Sequence, residues 1–482
     1  FRSLFGIYRS IGRSSIWIET RRHFKTMKID TPEFKSIFTP DLEKLSTLFK
    51  DNKFELRIAG GAVRDLLMHI PPADIDFASS ATPTMMIELF ERENVRMLHT
   101  NGELHGTVTC RIGENNFEIT TLRVDVVCDG RRAKVEYTAD WELDANRRDL
   151  TINSMFLDLD GTVVDYTGGI ADVENRRVAF VGDAATRIQE DFLRILRYFR
   201  FFGRISKESF THEEQTIKAI VENKDGLAMV SPERIWTEMK RIVIGRLAPS
   251  VVKTMLDECD LGKLLGLPKD SLSHMSRYER IYKRGKELEA KLGEGVKLES
   301  MTMIAALCTE KKDIDEFHAK TKLSNLERHL AEFIIEKRDE AEATLSAAGD
   351  SIDTQDRYWK RLLTRVMGPI HKGKVRNDAD RLRSRVVQLA ITVGTSDEVV
   401  AELLSCELRE FEIDGVDLMN ARVPPGPRMQ FVKMYLFNMW IDSDMTLSKE
   451  SLVERALDEN VPGFETIQEK KGKKRKSPSS PH

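Results

Sequence analysis

The stretch from residue 57 to 77 limits the possible folds of this chain more than any other. A short apolar run leads into Gly60 and Gly61, a helix-like segment follows, and a second predicted strand carries Asp74 and Asp76. Glycines between a strand and a helix let the backbone approach a phosphate, and the first N–H groups of the helix attract anions. The stretch therefore predicts a phosphate-binding turn between a strand and a helix.

The two aspartates predict a metal site next to that turn. Side chains alternate between the faces of a strand, so Asp74 and Asp76 are expected to share a face. Two such carboxylates repel each other unless a cation joins them, and hard oxygen ligands suit Mg²⁺. Each signal alone also fits a turn and a solvated edge strand, but their order and spacing favour nucleotidyl transfer.

Two motifs in this stretch resemble those of a known family. Gly60-Gly61-Ala62-Val63-Arg64-Asp65, followed by Asp74-Ile75-Asp76-Phe77-Ala78, is similar to the signature of class II tRNA nucleotidyltransferases. These CCA-adding enzymes belong to the DNA polymerase β-like superfamily, and bacterial poly(A) polymerases share the motifs. The resemblance implies template-independent addition of C, C and A to tRNA from CTP and ATP with two Mg²⁺ ions. It assigns metal binding to Asp74 and Asp76, and nucleotide binding to Gly60, Gly61 and Arg64.

A predicted hairpin supplies the candidate for a third metal-binding carboxylate. Thr107 to Ile112 and Phe117 to Arg123 alternate apolar and polar residues around a turn at 113–116. Glu118 projects from the second strand, opposite the face of its apolar neighbours. Members of the resembled family carry a metal-binding carboxylate on a strand of this kind, which implies that role for Glu118. Asp125 is the competing candidate, and a solvated strand face is the purely structural alternative.

Residues 123 to 147 are charged and rich in turn-forming residues, with Asp129-Gly130-Arg131-Arg132 near the centre. A connection of this length is long for a compact domain and is usually functional or disordered. It resembles the mobile loop that helps members of the family switch between CTP and ATP. We therefore expect an irregular excursion here.

The segment from Arg147 to Met155 resembles a second motif of the family, in which an Arg-Asp pair and an Asn contact the ribose and phosphates of the nucleotide. The resemblance implies nucleotide binding by Arg148, Asp149 and Asn153. Guanidinium suits phosphate because its planar fork donates two parallel hydrogen bonds. A carboxylate that accepts from a ribose 2′-hydroxyl would favour NTPs over dNTPs. A capping salt bridge is the structural alternative.

One helix is predicted over residues 187 to 202, where apolar residues recur at three- and four-residue spacing. Asp191 and Arg194 are three residues apart and are expected to meet on one face of it. Alone they would form an ordinary surface ion pair, but Glu190-Asp191-Phe-Leu-Arg194 resembles the family motif in which side chains read the incoming base. A carboxylate accepts from the exocyclic amine of C or A, while guanidinium donates to neighbouring acceptors. The resemblance implies base selection by Asp191 and Arg194.

Further basic residues follow on the same segment. Arg197 is included among the nucleotide-binding residues, and with Arg200 and Arg204 it extends a basic edge that either meets tRNA phosphates or is simply solvated. Ser231-Pro232 predicts the start of another helix, with Ser as the N-cap and Pro at the first helical position. That segment resembles a neck motif of the family and is interpreted as scaffolding. Asp165-Tyr166-Thr167-Gly168-Gly169 resembles a hinge turn.

The two ends of the chain differ in composition from the rest. Residues 1–28 contain seven Lys and Arg against one acid, with several serines, which is typical of a mitochondrial presequence; a basic arm without an address is the alternative. Initiation at Met27 would give a cytoplasmic or nuclear form. The basic segment within 469–482 predicts nuclear import, RNA affinity or a solubilising tail.

Composition sets broad limits on the rest of the chain. The 482 residues are 41% hydrophobic and contain no apolar run long enough to span a membrane. The net charge of −3 requires local basic surfaces for any RNA contact. Five dispersed cysteines argue against a zinc site or a disulfide framework and favour a reducing compartment.

These patterns predict an α+β protein: a polymerase-β-like mixed α/β head followed by an all-helical neck, body and tail. The predicted partners are tRNA, contacted at its 3′ end and its acceptor and TψC arm, with ATP and CTP as substrates; no membrane and no obligate protein partner are indicated. The predicted parts are a presequence-like arm at 1–28, a catalytic head at 29–175, a base-selecting neck at 176–260, a body at 261–365, a tRNA-binding tail at 366–468 and a basic end at 469–482.

Two alternatives to CCA addition stay open at this point. The same motifs fit a poly(A) or A-only polymerase. A protein from another class, an RNA-binding chain with a decayed active site, is opposed by the intact Gly-Gly, Asp-x-Asp, Arg-Arg-Asp and Glu-Asp-x-x-Arg motifs. Loss of function should remove the metal ligands first.

Overall fold

The computed structural model describes residues 24–98, 106–128, 133–207, 211–349, 351–369, 378–458 and 461. The predicted presequence up to residue 23, the centre of the 123–147 excursion at 129–132 and the basic end within 469–482 lie outside the described residues. Among the residues that are described, no helix has the length and apolar character needed to cross a membrane. Cys110, Cys259, Cys308 and Cys406 are free and buried thiols.

Ten strands are present in the described residues. They are β1 Lys25–Lys28, β2 Leu56–Ala59, β3 Asp76–Ser79, β4 Arg96–Leu98, β5 Thr107–Ile112, β6 Asn115–Thr121, β7 Arg123–Cys128, β8 Ala133–Tyr137, β9 Phe156–Asp158 and β10 Thr162–Asp165. Eight of them form one sheet in the order β1-β10-β9-β2-β3-β6-β5-β4, while β7 and β8 form a separate two-stranded sheet. Only the β3–β6 pair of the large sheet is parallel, and this pair carries candidate site residues.

Helices surround this sheet and then make up the remainder of the described chain. Those of the sheet-containing part are α1 Pro32–Ser36, α2 Pro40–Asp51, α3 Gly61–Leu67, α4 Pro83–Arg92, α5 Trp141–Asn146, α6 Gly169–Glu174 and α7 Ala184–Glu190. Those that follow are α8 Arg194–Ile205, α9 Glu214–Asn223, α10 Pro232–Ile242, α11 Ala248–Asp257, α12 Met275–Leu292, α13 Ser300–Ala306, α14 Lys311–Thr321, α15 Asn325–Ala348, α16 Ile352–Met367, α17 Ala379–Val393, α18 Asp397–Ser405, α19 Gly415–Asn420, α20 Pro427–Asp442 and α21 Lys449–Glu454.

The chain divides into two compact units. The first, here called the head, contains the described residues up to Asp191 together with Ile205–Lys207. The second, the helical unit, contains Phe192–Arg204 and the described residues after 207. The prediction of a mixed α/β part followed by an all-helical part is confirmed. The finer division of the helices into neck, body and tail stays a prediction.

The head sheet begins four residues before the predicted boundary at 29. Strand β1 pairs with β10 over the full register from Lys25 opposite Asp165 to Lys28 opposite Thr162. Lys28 also forms an ion pair of 3.0 Å with Asp160. The last four residues of the predicted arm therefore belong to the sheet, even though their composition resembles that of the preceding segment.

The hairpin predicted around residue 114 is confirmed, with a tighter turn than expected. Strand β6 begins at Asn115 rather than Phe117, because Asp41 supports the turn from α2. The Asp41 carboxylate accepts hydrogen bonds from the Glu114 backbone N–H at 3.3 Å and from the Asn115 side chain at 2.8 Å. A side chain 73 positions away thus supports the turn from which the strand starts.

The prediction of an irregular excursion from 123 to 147 is wrong for the described residues. Strands β7 and β8 pair as a hairpin, and α5 follows. Trp141 at the start of α5 is buried and packs edge-on to Phe156 of the main sheet, with ring centroids 4.8 Å apart. The charged composition of this segment did not indicate its short strands. It also did not indicate the packing of Trp141 on Phe156, which is distant in sequence.

The prediction of one helix over 187–202 is also wrong. Helix α7 ends at Glu190, Asp191 has extended dihedral angles (φ −155°, ψ 105°), and α8 begins at Arg194. The Phe192 ring at this break covers the backbone of Gly226, where an added Cβ would lie only 2.1 Å from it. The apolar period continues through the break, so periodicity alone did not reveal it.

Candidate active site

Two carboxylates lie next to each other on one face of the head sheet. Asp76 opens β3 and is opposite Glu118 of the parallel strand β6. Their neighbours Phe77 and Ile119 are also opposite each other and are buried on the other face. Adjacent strands are about 4.8 Å apart. The register therefore brings two solvent-accessible carboxylates to one place on the sheet.

Asp125, the alternative candidate for the third metal ligand, does not lie on the same sheet as Asp76 and Glu118. It belongs to β7 in the separate two-stranded sheet, next to a bulge between Asp125 and Val127. Glu118 is instead in direct register with Asp76. The topology thus favours Glu118 over Asp125 as the neighbour of Asp76.

The prediction that Asp74 and Asp76 occupy one strand is wrong. Strand β3 begins at Asp76, and Asp74 lies in the extended segment before it, so strand alternation does not place its side chain. The electrostatic relation between the two carboxylates is nevertheless present. Partial burial raises the pKa of Asp76 above its ordinary value, the negative charge of Asp74 raises it further, and the positive charge of Arg148 opposes the rise.

The donor set fits Mg²⁺ in its chemistry. Within the described ranges, no group of three or more Asp, Glu, His or Cys side chains is arranged closely enough to hold a metal ion. Mg²⁺ commonly binds through one or two carboxylates, with substrate phosphates and water completing its coordination. Asp76 and Glu118 are such a pair, and a cation beside them would also offset the negative charge of Asp74, which adds to the effect of partial burial in raising the pKa of Asp76.

The turn before α3 is shaped for a close approach to Arg148. Gly60 has φ +68°, and an added Cβ would lie 3.1 Å from Arg148 Nη1 and 3.4 Å from the Asn153 carbonyl. At Gly61 the nearest atom to an added Cβ is Arg64 Nη2 at 3.6 Å, an ordinary contact. The positive φ therefore favours glycine at position 60, and a side chain there would also press on Arg148, whereas Gly61 is not restricted in either way.

Arg148 is held from three sides. Its Nε and Nη2 atoms lie 3.1 and 3.0 Å from Asp144 Oδ2, and its Nη1 donates to the Asn153 carbonyl at 3.2 Å. The guanidinium also lies 4.9 Å from the centre of the Phe156 ring. These contacts give the cation a fixed position beside Gly60.

A buried chain of polar contacts links the other predicted nucleotide-binding residues. Arg64 is 2% exposed and donates to Asp65 at 3.0 Å and to Asn153 Oδ1 at 2.5 Å. Asn153 in turn donates to Asp149 Oδ1 at 3.4 Å. Since its guanidinium engages these buried groups, Arg64 orients Asn153, a role that its motif position did not indicate.

The turn that resembles a hinge is organised by a single carboxylate. Asp165 is 2% exposed and accepts hydrogen bonds of 2.9 to 3.0 Å from four successive backbone N–H groups at the start of α6. An added Cβ at Gly169 would lie 2.3 Å from the Thr151 carbonyl. The turn thereby brings α6 against the 3₁₀ turn Thr151–Asn153, which carries Asn153.

Asp191 and Arg194, the predicted base-selecting residues, do not share a helix face. Asp191 terminates α7 in an extended conformation, and Arg194 is the first residue of α8. The helix-face argument for their meeting is therefore wrong. Their proposed role now depends on the family motif rather than on helical spacing.

The predicted basic edge of α8 has a buried partner. Arg200 forms an ion pair of 2.5 Å with Glu238 of α10, and Arg197 lies 3.9 Å from the same carboxylate. Glu238 is 5% exposed, and burial lowers the pKa of Arg200 to about 10. Arg200 is thus neither a solvated residue nor an open phosphate ligand.

Sequence reasoning missed Asp144 and Glu238, two buried carboxylates that hold candidate arginines. Asp144 precedes Arg147 and Arg148 by three and four positions, a spacing that brings side chains together on a helix. That spacing was visible in the sequence. Glu238 is 38 positions after Arg200, so no local signal connected them.

Comparison with known proteins defines the class of this chain. Residues 56–179 match the family model described as "Poly A polymerase head domain". Residues 209–263 match a second model, "Probable RNA and SrmB- binding site of polymerase A". The first match covers the strands and motifs of the candidate site. The head is therefore a nucleotidyltransferase domain of the polymerase-β-like type.

Similarity extends over nearly the whole chain. The protein is 41% identical over 432 residues to the zebrafish (Danio rerio) "CCA tRNA nucleotidyltransferase 1, mitochondrial", which covers 90% of this chain and 94% of the relative. It is 38% identical over 433 residues to the human (Homo sapiens) protein of the same name, covering 90% and 93% respectively. The chain belongs to the CCA tRNA nucleotidyltransferase family.

Solved structures agree on the fold. The Bacillus stearothermophilus CCA-adding enzyme in complex with CTP has a TM-score of 0.67 and 24% identity, covering 92% of this chain and all of the other. The Thermotoga maritima CCA-adding enzyme complexed with tRNA has a TM-score of 0.61 and 18% identity, covering 90% and 98%. The predicted fold class and family resemblance are confirmed.

Proposed function

We propose that this protein adds C, C and A to the 3′ end of tRNA, using CTP and ATP and releasing pyrophosphate. The observation that carries the proposal is the register of Asp76 opposite Glu118, on the open face of a head whose family acts on nucleotides. Nearly full-length similarity to relatives named CCA tRNA nucleotidyltransferase supports tRNA as the substrate.

We propose that the pair Asp76 and Glu118 holds Mg²⁺, and that Asp74, whose negative charge already acts on Asp76, is the third ligand only once the metal draws it towards the pair. When bound, the metal supplies charge neutralisation at the reacting phosphate and at the tRNA 3′-hydroxyl. The side chains contribute position: the parallel register holds two carboxylates side by side before substrate arrives. Because phosphoryl transfer needs mainly positioning and electrostatic stabilisation, no covalent protein nucleophile is required.

The remaining candidate residues are assigned to the nucleotide. Arg148, fixed beside the Gly60-Gly61 turn, is proposed to bind phosphate oxygens, and its delocalised charge suits them. Asp149 and Asn153 are proposed to contact the ribose, in an orientation maintained by Arg64. Asp191 and Arg194, with Arg197, are proposed to select C and A by contacts to the edge of the base.

The proposal is tested by single-turnover extension of tRNAs that end before CCA, after C and after CC. Each is offered one labelled NTP at a time with Mg²⁺. We expect C, then C, then a single A, with no U or G. Incorporation of U or G at comparable rates, or no incorporation despite retained tRNA binding, would contradict the proposal.

A poly(A) or A-only polymerase is the second candidate, because the matched head model carries that description. The same extension assay separates the two. A long ladder of A residues on any of the three tRNAs would favour this alternative, whereas arrest after one A on the tRNA ending in CC supports CCA addition.

We infer a mitochondrial location from the composition of residues 1–28 and from the mitochondrial relatives. Initiation at Met27 is a further proposal for a cytoplasmic or nuclear form. Met27 lies inside β1, so this form would retain the pairs of Met27 and Lys28 and lose those of Lys25 and Thr26. N-terminal sequencing of the cytosolic pool tests it, and the absence of a product that begins near Met27 would reject the second form.

A further inference from the structure

One buried carboxylate in the head contacts two consecutive arginines and the first residue of β7. Asp144, in the middle of α5, is 1% exposed. Its Oδ2 lies 3.0 Å from Arg148 Nη2, and its Oδ1 lies 2.7 Å from Arg147 Nη2. Oδ1 also accepts a hydrogen bond of 3.1 Å from the backbone N–H of Arg123, the first residue of β7.

The two oxygens of Asp144 therefore have different partners. Oδ2 lies 3.1 Å from Arg148 Nε and 3.0 Å from Arg148 Nη2, so one charged oxygen is shared by two guanidinium nitrogens. Oδ1 holds Arg147 and the root of the β7–β8 hairpin. A neutral side chain at position 144 would retain at most some of these hydrogen bonds and none of the ion pairs.

The position of Arg148 depends on this carboxylate more than on its other contacts. The Asn153 carbonyl at 3.2 Å engages only Nη1, and the Phe156 ring at 4.9 Å restricts the guanidinium plane without fixing its rotation. Gly60 leaves room for the side chain but offers it no polar anchor. Without Asp144, the guanidinium would be free to leave the vicinity of the Gly60-Gly61 turn.

We propose that Asp144 is a positioning residue for nucleotide binding, which acts by holding Arg148 beside the Gly60-Gly61 turn. The proposal rests on the proposed function of Arg148. Asp144 itself does not touch the nucleotide; its effect passes entirely through the side chain it orients.

The test is steady-state kinetics of Asp144→Asn, Arg148→Ala and the double variant, with a tRNA that ends before CCA and varied CTP. Asp144→Asn keeps the volume and removes the charge. We expect about a 10-fold rise in KM for CTP, less than a 3-fold change in kcat, and an unchanged KM for tRNA, since phosphate binding is weakened equally in the ground state and the transition state. In the Arg148→Ala background the same substitution should change KM less than 2-fold, because the residue through which it acts is absent.

Asp397→Asn provides the matched control. Asp397 also joins two cations, Arg284 and Lys291, but in the helical unit. Its substitution should leave the KM for CTP unchanged. Additive effects of Asp144→Asn and Arg148→Ala, or a wild-type KM in Asp144→Asn, would overturn the proposal.

A second variant keeps the test valid if Asp144→Asn does not fold. Asp144→Glu retains the charge but moves the carboxylate by one methylene, and it should raise KM for CTP by a smaller factor; a wild-type KM would overturn the proposal. Equilibrium binding of CTP separates this inference from the proposed reaction. Wild-type protein that binds CTP without extending tRNA would contradict CCA addition, and weaker CTP binding by Asp144→Asn would still support the role of Asp144.

Discussion

Two carboxylates, one in each compact unit, show opposite ways of using negative charge. Asp76 in the head remains accessible to solvent, and partial desolvation, followed by the negative charge of the neighbouring Asp74, raises its pKa. Glu238 in the helical unit is buried, and Arg200 lies 2.5 Å from it. A bound cation would stabilise the charged form of Asp76, whereas Glu238 already has Arg200 as its cationic partner.

This difference distinguishes the charge proposed to act in catalysis from a charge that maintains the structure. A carboxylate that is accessible and destabilised by a like charge is poised to bind a cation or a substrate. A buried carboxylate with an arginine partner mainly maintains the packing around it, and its loss leaves the partner charge without compensation. Asp144 resembles Glu238 in being a buried carboxylate with an arginine partner. It differs in that its partner, Arg148, is proposed to bind nucleotide.

The largest expected effect tests the head side of this comparison. Asp76→Ala should lower nucleotide incorporation by at least about 100-fold, because it removes an electrostatic contribution at the reacting centre. Binding of tRNA, measured by filter retention, should be retained. Asp51→Ala, an exposed acid at the end of α2, is the control and should have wild-type activity. Turnover of Asp76→Ala within a few-fold of wild type would reject the site.

The second effect tests the helical side. Glu238→Ala should lower the free energy of unfolding by about 3 kcal/mol, because Arg200 would stay largely buried without its partner. Urea unfolding measures the change. Glu222→Ala, which disrupts an exposed pair with Lys218 at 3.9 Å, should change it by less than about 0.5 kcal/mol. If the two substitutions lowered the free energy of unfolding equally, the buried pair would not contribute more to stability than the exposed one.

Base selection gives an effect of intermediate size. Asp191→Ala should reduce the preference for CTP over UTP by about 10- to 100-fold, since one good polar contact to a base discriminates by roughly 1–3 kcal/mol. Competition between CTP and UTP in single-turnover extension measures it. Glu174→Ala, at the exposed end of α6, should keep the wild-type preference. An unchanged preference for CTP over UTP in Asp191→Ala would show that Asp191 does not select the base.

The smallest effect concerns a half-buried histidine in the helical unit. Burial lowers the pKa of His212 from 6.5 to about 4, and its ring stacks on Phe202 with centroids 3.8 Å apart. The unfolded chain binds the proton at higher pH than the folded chain, so stability is lost as the pH falls from about 6.5 towards 4. Partial exposure limits the loss to about 1–2 kcal/mol.

Substitution isolates the contribution of this histidine. His212→Phe should flatten the dependence of the free energy of unfolding on pH in that range, as followed by urea titrations at several pH values. The exposed His329 is the matched control, and His329→Phe should leave the slope unchanged. A slope in His212→Phe equal to that of wild type would show that other groups cause the acid sensitivity.

Local patterns predicted those parts of the head whose contacts are close in sequence. The alternation in Thr107–Ile112 predicted β5, and the glycine pair after an apolar run predicted the turn into α3. The motif residues Asp76 and Glu118 were selected separately. That they lie in register could not be read from spacing, because β3 and β6 are joined through α4 and two other strands.

The predictions failed where a distant partner overrode a local pattern. Periodicity extended a helix through Asp191, but packing of Phe192 on Gly226 accompanies a break there. Composition suggested an irregular segment after Arg123, whereas Trp141 anchors α5 to Phe156. In both cases the deciding contact joins residues at least 15 positions apart.

The sequence by itself determined the chemistry of this protein. The types and order of its acidic, basic and glycine residues defined a nucleotidyltransferase motif set, because that chemistry requires particular side chains. Only the tertiary structure decided how those side chains are held. Arg64 orients Asn153, Asp144 holds Arg148, and Glu238 compensates Arg200. Burial makes each of these charges depend on a partner, and folding decides which partner comes within reach.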